Sequence, residues 1–239
     1  MQRRALLLGL PLTAIGCASP APPQGSARGA PASAGEALQS DTNRMATLAM
    51  RDNLSSLLLL ADKLYRRNPA EWRRAGQPNR EAAMAQLRSA IEQQQAPAAL
   101  HGRRDIAALA LSLQPEFDAD RVAAFCYALT DMLIVAHGGK IRFNLLDGLD
   151  PQHLHNAARN VEAACWLLAT RRNAAGAPLL LADEINAQER NLSFEREFGK
   201  IIGRLDLLAA YLTEKYRRAA IGYLQSLLGG QFLQFLPVK

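Results

Sequence analysis

The sequence lacks the spacings that announce common enzyme chemistry. It has no Gly-x-Ser-x-Gly elbow, no phosphate-binding glycine-rich loop and no His-Glu-x-x-His zinc motif. Three cysteines are present and none forms a Cys-x-x-Cys pair, so the usual thiolate metal sites are excluded. Histidine is scarce: His101, His137, His153 and His155. On a helix His153 and His155 would point about 200° apart and would not share a metal. Asp147, Gly148 and Asp150 miss the Asp-x-Asp-x-Asp-Gly spacing of a calcium loop. No metal or cofactor is therefore expected. No segment repeats at the periods of roughly 34 to 45 residues that mark regular helical solenoids. Nowhere does an apolar run reach the ~20 residues that a membrane-spanning helix needs.

What is present begins at the N-terminus. Met1-Gln2-Arg3-Arg4 precedes a mostly apolar run, residues 5–15, which Pro11 interrupts and Gly16-Cys17 closes. Two arginines before a short apolar stretch make the first two regions of a secretory signal. The small or aliphatic residues Ala14, Ile15 and Gly16 before Cys17 resemble the lipobox of bacterial lipoproteins, with Ala14 where leucine is commonest. That resemblance implies that residues 1–16 are removed and that Cys17 is lipidated as the first mature residue. Ala18 follows, not Asp. By the sorting rule of enteric bacterial lipoproteins, this implies an outer-membrane protein facing the periplasm.

Residues 17–40 (CASPAPPQGSARGAPASAGEALQS) hold eighteen Ala, Pro, Gly or Ser among twenty-four, and no aromatic. Such a segment buries too little apolar surface to offset its ordering entropy. It reads as a flexible tether with a span of roughly 25–30 Å. The formal charge of the chain is +6, of which Arg3 and Arg4 supply two, leaving +4 after removal of the signal. Charge of that size speaks to solubility, not to a nucleic-acid partner.

From Asp41 the apolar residues recur at helical steps, and residues 41–239 read as one soluble, mainly α, bundle-like domain of five or more helices. Met50, Leu54, Leu57, Leu58, Ala61, Leu64 and Tyr65 stripe the first helix, with Asp41 or Thr42 as its cap. Asn68-Pro69 and Asp150-Pro151 each open a helix, with Glu71 at a capping-box position. Asn79, and Asp118 or Asp120, start others. Residues 122–136 are apolar all round except for Thr130 and Asp131, which marks a central buried helix ended by Gly138-Gly139. Asp131 then requires a buried ion pair, with an arginine as its expected partner. His137, at that helix's C-terminus, is where the dipole favours a protonated ring.

The last helix carries Phe194, Phe198, Ile201, Leu205, Leu208, Leu212, Tyr216, Ala219, Tyr223 and Leu227. Gly203 marks a kink or a close contact, and Gly229-Gly230 a stop. The apolar tail FLQFLPV either packs back on the domain or binds a partner. Residues 140–150 and 178–185 alternate briefly and are expected to pair as a small two-stranded element.

Three further features admit two readings each. Cys126 and Cys165 lie in apolar helical patterns and are either buried small hydrophobes or a disulfide. Tyr65, Arg66, Arg67, Trp72, Arg73 and Arg74 either pack a helix corner or form an interfacial membrane segment. Glu184, Glu195 and Glu197, with Asp147, are carboxylates that a glycan hydrolase needs in convergent pairs, but their spacing does not bring them together.

Residues 53–72 (NLSSLLLLADKLYRRNPAEW), 145–150 (LLDGLD) and 191–200 (NLSFEREFGK) resemble a family of uncharacterised proteobacterial lipoproteins. The resemblance covers roughly residues 45–215. It implies a lipid-anchored helical domain and carries no catalytic, cofactor or metal residues. The expected function is a structural or interaction role in an envelope assembly, attached to the membrane through Cys17 and holding a protein partner there. A bundle enclosing a lipid or small apolar ligand, between residues 122–136 and 154–168, is the alternative, and an envelope hydrolase a weaker one.

Overall fold

The computed structural model describes residues 39–141, 148–185 and 190–233. These form a mainly α domain of α1 (Asp41–Arg67), α2 (Pro69–Arg74), α3 (Arg80–Glu92), α4 (Asp105–Ser112), α5 (Arg121–Ala136), α6 (Pro151–Thr170) and α7 (Ser193–Leu233). The signal, Cys17 and nearly all of the tether lie outside the described residues, as do Asp147 and the end of the tail.

The organising element is α5. Its apolar circumference has no solvent-facing side to spare, and only Ala123 and Val135 escape burial along it. Helices α1, α2, α3, α4 and α6 all pack on it. Thr130 is satisfied within the helix, its hydroxyl donating to the Cys126 carbonyl at 2.9 Å. Gly138 and Gly139 end α5 at φ +71° and +78°, a left-handed conformation that glycine adopts without steric penalty. The long α7 pairs most extensively with α6 and then with α1. It runs antiparallel to α1: Lys63 sits over the Phe194 ring at 4.3 Å, and Lys215 reaches Thr42 at the other end, Nζ to Oγ1 2.7 Å.

The caps separate local from long-range design. Asn79, Asp120 and Asp150 each accept a bond from a backbone N–H of the first turn that follows, at 2.8, 2.9 and 2.7 Å. The cap of α1 is Ser40, which accepts from the Asn43 N–H at 3.2 Å, not Asp41 or Thr42. Asn68 makes no side-chain cap for α2. Its amide is drawn away by a stronger offer: Oδ1 accepts from the Leu181 N–H at 2.8 Å, and Nδ2 donates to the Leu181 carbonyl at 2.9 Å. That pairing fastens the loop before α7 to the end of α1. Helix α7 is capped from a distance, with Asp183 accepting from the N–H groups of Phe194 and Glu195, both at 3.2 Å.

The small β element differs in its partner from the one expected. Glu184–Ile185 (β1) pairs antiparallel with Arg190–Asn191 (β2), in register Glu184 with Asn191. A tight return within one loop closes with less entropy loss than a pairing across α6. Residues 142–147, the core of the other expected strand, lie outside the described residues. Nor does α7 stop at Gly229-Gly230; it continues through Leu233. Gly203 is exposed and has no neighbour within 4 Å of where a Cβ would stand, so it marks neither a close contact nor a break.

Candidate functional site

The most developed concavity among the described residues is a groove of about 590 Å³ between α3 and the start of α5. One wall is α3, through Ala83, Gln86, Leu87, Ala90 and Gln93; the loop of residues 95–99 continues it. Opposite stand Arg74 at the end of α2, then Asp118, Asp120 and Ala123. The local sequence explains this shape. Residues 93–99 contain Pro97 and no continuous helical stripe, so the chain leaves α3 and crosses over the surface instead of packing down.

At the end nearest α5 the groove meets a polar network, which Tyr65 and Asp120 join to its lining. The Tyr65 hydroxyl donates to Asp120 Oδ2 at 2.7 Å, while Asp120 Oδ1 serves the Ala123 N–H. Glu71 is buried, accepting from the Arg121 N–H at 2.8 Å through Oε2 and from Arg74 at 3.0 Å through Oε1. Burial pushes the Asp120 and Glu71 carboxyls above the ordinary carboxylate range, against the hydrogen bonds that favour their charged forms. Burial and the adjacent Asp120 push the Tyr65 phenol up as well, so it stays a donor. Both oxygens of Asp120 are occupied and so is the phenol proton. The network is built to hold shape; the rim carries Arg74, bonded to Glu71, and the exposed amides of Gln86, Gln93 and Gln95, of which Gln86 accepts from Gln77 and Gln93 donates to Ser89. Amides that both donate and accept, above an alanine-lined floor, match an extended peptide better than a reacting small molecule.

This network makes stability depend on pH in an unusual direction. A carboxyl whose folded pKa lies above its unfolded value keeps its proton longer in the native state. Its stabilising contribution is full below the unfolded value, about 4, and declines as pH rises through the folded one. Asp120→Asn keeps a capping oxygen for the Ala123 N–H, sets an amide N–H against the Tyr65 oxygen, which can accept it, and removes this titration. The variant should lose less stability than the parent between pH 4 and pH 7 in urea unfolding; an identical loss in both would assign the effect elsewhere.

A second groove, about 580 Å³, lies on the other side of α3 against α1, lined by Leu58, Leu59, Met84 and Ala85 between Asp62, Arg80, Glu81 and Arg88. Helix α3 therefore stands between two grooves, with only Ala83 and Leu87 buried along its length. A smaller hollow of about 320 Å³ sits beside Arg67 and Glu184, and one of about 300 Å³ beside Asp105 and His153.

The residues singled out from sequence fall as follows. Asp131 is 4% exposed and its partner is Arg104, which donates from Nη2 at 2.5 Å and from Nε at 3.2 Å. Cys126 and Cys165 are both free and buried, so of the two readings the structure has unbonded thiols. Burial raises both, Cys165 to about 12, and neither is a nucleophile at neutral pH. Of the two readings of residues 65–74, the structure has the packed helix corner: Tyr65 is 1% exposed and bonded inward, and Trp72 packs against the core. His137 is corrected. It does end α5, but at 1% exposure desolvation outweighs the helix dipole and lowers its pKa, favouring the neutral ring, whose Nδ1 lies 2.7 Å from the Leu133 carbonyl.

Of the carboxylates considered for hydrolysis, Glu184 is tied to Arg67 and Glu197 to Lys200, while Glu195 is exposed in the first turn of α7. His101 and His155 are exposed; His153 Nε2 lies 3.8 Å from Asp150. Among the described residues no three His, Cys, Asp or Glu side chains are grouped to hold a metal, and no helix is long and apolar enough to cross a membrane.

Sequence reasoning passed over Arg121 and Arg204. Arg121 is buried at the first position of α5. Arg204, within α7, donates to the Asp52 carbonyl, Asn53 Oδ1 and Ser56 Oγ on α1 at 3.1 to 3.2 Å. An arginine beside an apolar stripe looks solvent-facing in sequence, so no signal distinguished either. Compared with protein-family models, with curated proteins and with solved structures, the chain gives no match.

Proposed function

We propose that this chain is a lipid-anchored bacterial envelope protein, held at the outer membrane through Cys17, whose helical domain docks on an envelope partner protein. The observation that carries the reading is the order of parts along the chain. An Arg-Arg and apolar leader ends at Cys17, an Ala/Pro/Ser/Gly-rich segment follows, and the first capped helix begins only at Ser40. That order suits a folded body kept near a membrane by a flexible leash. The resemblance of residues 53–72, 145–150 and 191–200 to proteobacterial lipoproteins agrees with it. For the docking surface, support comes from α3: it is flanked by two grooves whose rims are amides and paired charges over small apolar floors, the composition of a protein-binding patch more than of a reaction centre.

The test has two parts. Mass analysis of the protein from envelopes should find a lipid-modified Cys17 at its N-terminus, and Cys17→Ser should abolish the modification and the sorting. A Cys17→Ser protein processed and membrane-bound as before would refute the anchor. Cross-linked capture from envelopes should recover a defined partner with the parent chain and lose it with Gln86→Arg plus Gln93→Arg, both at exposed rim positions. Retention of the same partner by that variant would move the docking surface away from α3.

A further inference from the structure

Helix α7 outruns the domain. Its buried face ends at Leu212; from Thr213 through Leu227 every residue is exposed except half-buried Glu214, and the helix continues to Leu233. From Tyr216 to Leu233 the overhang extends about 27 Å at helical rise. It is not polar, as a solvated helix end would be. Tyr216, Ala219, Ala220, Tyr223, Leu224 and Leu227 fall at i, i+3, i+4, i+7, i+8 and i+11, one continuous stripe. Tyr216, Tyr223, Leu224 and Leu227 are 46%, 65%, 57% and 50% exposed. The stripe prolongs the face that Leu205, Leu208 and Leu212 bury inside the domain; at its root the Tyr216 hydroxyl donates to the Leu149 carbonyl at 2.9 Å, and from Ala219 to Leu227 every residue is exposed.

Two observations identify what does cover it. The first is charge. Lys215 and Arg217 flank the stripe, each about 100° from Tyr216, with Arg218 behind. Glu214, bonded to Arg217 and Arg218 and held down to about 2, is the one carboxylate set against Lys215, Arg217 and Arg218 on this stretch, and no acidic residue follows it in the sequence. The second is position. Thr42, two residues from the α1 cap, meets the Tyr211 hydroxyl at 3.3 Å and Lys215 Nζ at 2.7 Å. The chain that leads back to Cys17 thus leaves the body beside the root of the overhang, and α7 extends past that point.

We propose that the overhang of α7 is a second membrane contact, lying on an anionic lipid surface with its 216–227 stripe in the interface and its cations at the headgroups. This rests on the reading of Cys17 as the lipid anchor. A lipid at Cys17 and a cationic amphipathic helix are complementary signals: the lipid tethers the chain, and the helix, whose own attachment is reversible, fixes the body's orientation. A second copy of the chain placed on the same stripe would bring together two segments that each carry three cations against the single carboxylate of Glu214, whereas anionic headgroups neutralise the excess.

The experiment uses the Cys17→Ser chain without its leader, residues 17–239, which removes both the lipid and the Arg-Arg apolar segment and leaves α7 to act alone, with sedimentation on vesicles of phosphatidylcholine with or without phosphatidylglycerol. The chain should bind the anionic vesicles and not the neutral ones. In the same background, Lys215→Gln, Arg217→Gln and Arg218→Gln together should weaken binding on the order of 100-fold, at about fivefold per cation. Tyr223→Ser with Leu224→Ser should also abolish it with an unchanged thermal melt, since both positions are exposed. Equal binding to both vesicles, or binding indifferent to both sets of substitutions, overturns the proposal. So does a concentration-dependent dimer that the Tyr223 and Leu224 changes dissolve without any lipid preference; it would make a second copy the occupant. Lipid analysis of the parent's Cys17 fails or succeeds independently, so loss of the anchor reading and loss of the α7 contact are told apart.

Discussion

Arg121→Ala should lower the unfolding free energy by about 4 kcal/mol or more, a large fraction of what a domain of this size holds in reserve. The side chain is 4% exposed. Its guanidinium donates to three backbone carbonyls, Ser112 at 2.5 Å, Gln114 at 2.7 Å and Phe117 at 3.0 Å, and lies 5.5 Å from the centre of the Phe117 ring. It is the peg around which the connection from α4 to α5 is wound. Removing it leaves carbonyls without a donor, at roughly 1–3 kcal/mol each where water cannot enter, and opens a void beside Phe117. Burial lowers the Arg121 pKa, while the neighbouring Glu71 opposes the fall, so the cation remains. Arg121→Lys should recover little, because an ammonium cannot span three acceptors held in a planar fan. Chemical denaturation of parent, Ala and Lys variants checks this. A Lys variant as stable as the parent would show that charge, not the fork geometry, is what the loop needs.

The second large effect is expected at Arg104. This residue looks dispensable, with a side chain 62% exposed, and surface ion pairs contribute little on average. Its partner is the exception: Asp131 is buried on α5 and also accepts from the Asp105 N–H at 3.0 Å. Asp105 adopts φ +53°, a left-handed conformation that strains a residue with a Cβ, and the bond to Asp131 is what holds it. Burial, then the charge of Asp131, raises the Asp105 carboxyl. Arg104→Ala should therefore remove about 3 kcal/mol, the scale for stranding one member of a buried pair. The double variant Arg104→Ala with Asp131→Leu should be more stable than Arg104→Ala alone, since no buried charge is left behind. Additive losses in that double-mutant cycle would mean that the pair is not coupled.

Several features were legible because their causes are local. The mainly α character, expected as five or more helices and found as seven among the described residues, follows from stripes at three- and four-residue steps, and the burial of α5 follows from having no polar face. Asn79, Asp120 and Asp150 cap helices because the acceptor and the N–H it serves are within three residues of each other. The need of Asp131 for a cation follows from its place on that apolar helix. Which arginine answers it does not, since Arg104 is twenty-seven positions away and several other arginines have similar neighbours in sequence.

Asn68 shows where local reading gives way. A good capping residue before Pro69 was spent on Leu181, 113 positions on, because two backbone groups of that loop required partners. His137 shows the same competition in energy: the helix dipole favours its charged form, and packing that leaves it 1% exposed favours the neutral one more. The grooves on either side of α3 were invisible in sequence. They arise from the distance between packed helices, which no periodicity encodes.

The sequence by itself sets apart an Arg-Arg and apolar stretch ending at Cys17, a low-complexity segment and a run of helical patterns from Asp41, because each is a matter of composition or of spacing within a few residues. Tertiary structure alone decided which polar groups are buried, that Arg121 and Arg204 are internal fasteners, and that α7 carries its apolar stripe on into an exposed stretch from Lys215 to Leu227. A stripe at Tyr216, Tyr223 and Leu227 reads in sequence like the one at Leu205, Leu208 and Leu212. Only the length of the neighbouring helices separates a core face from an exposed one.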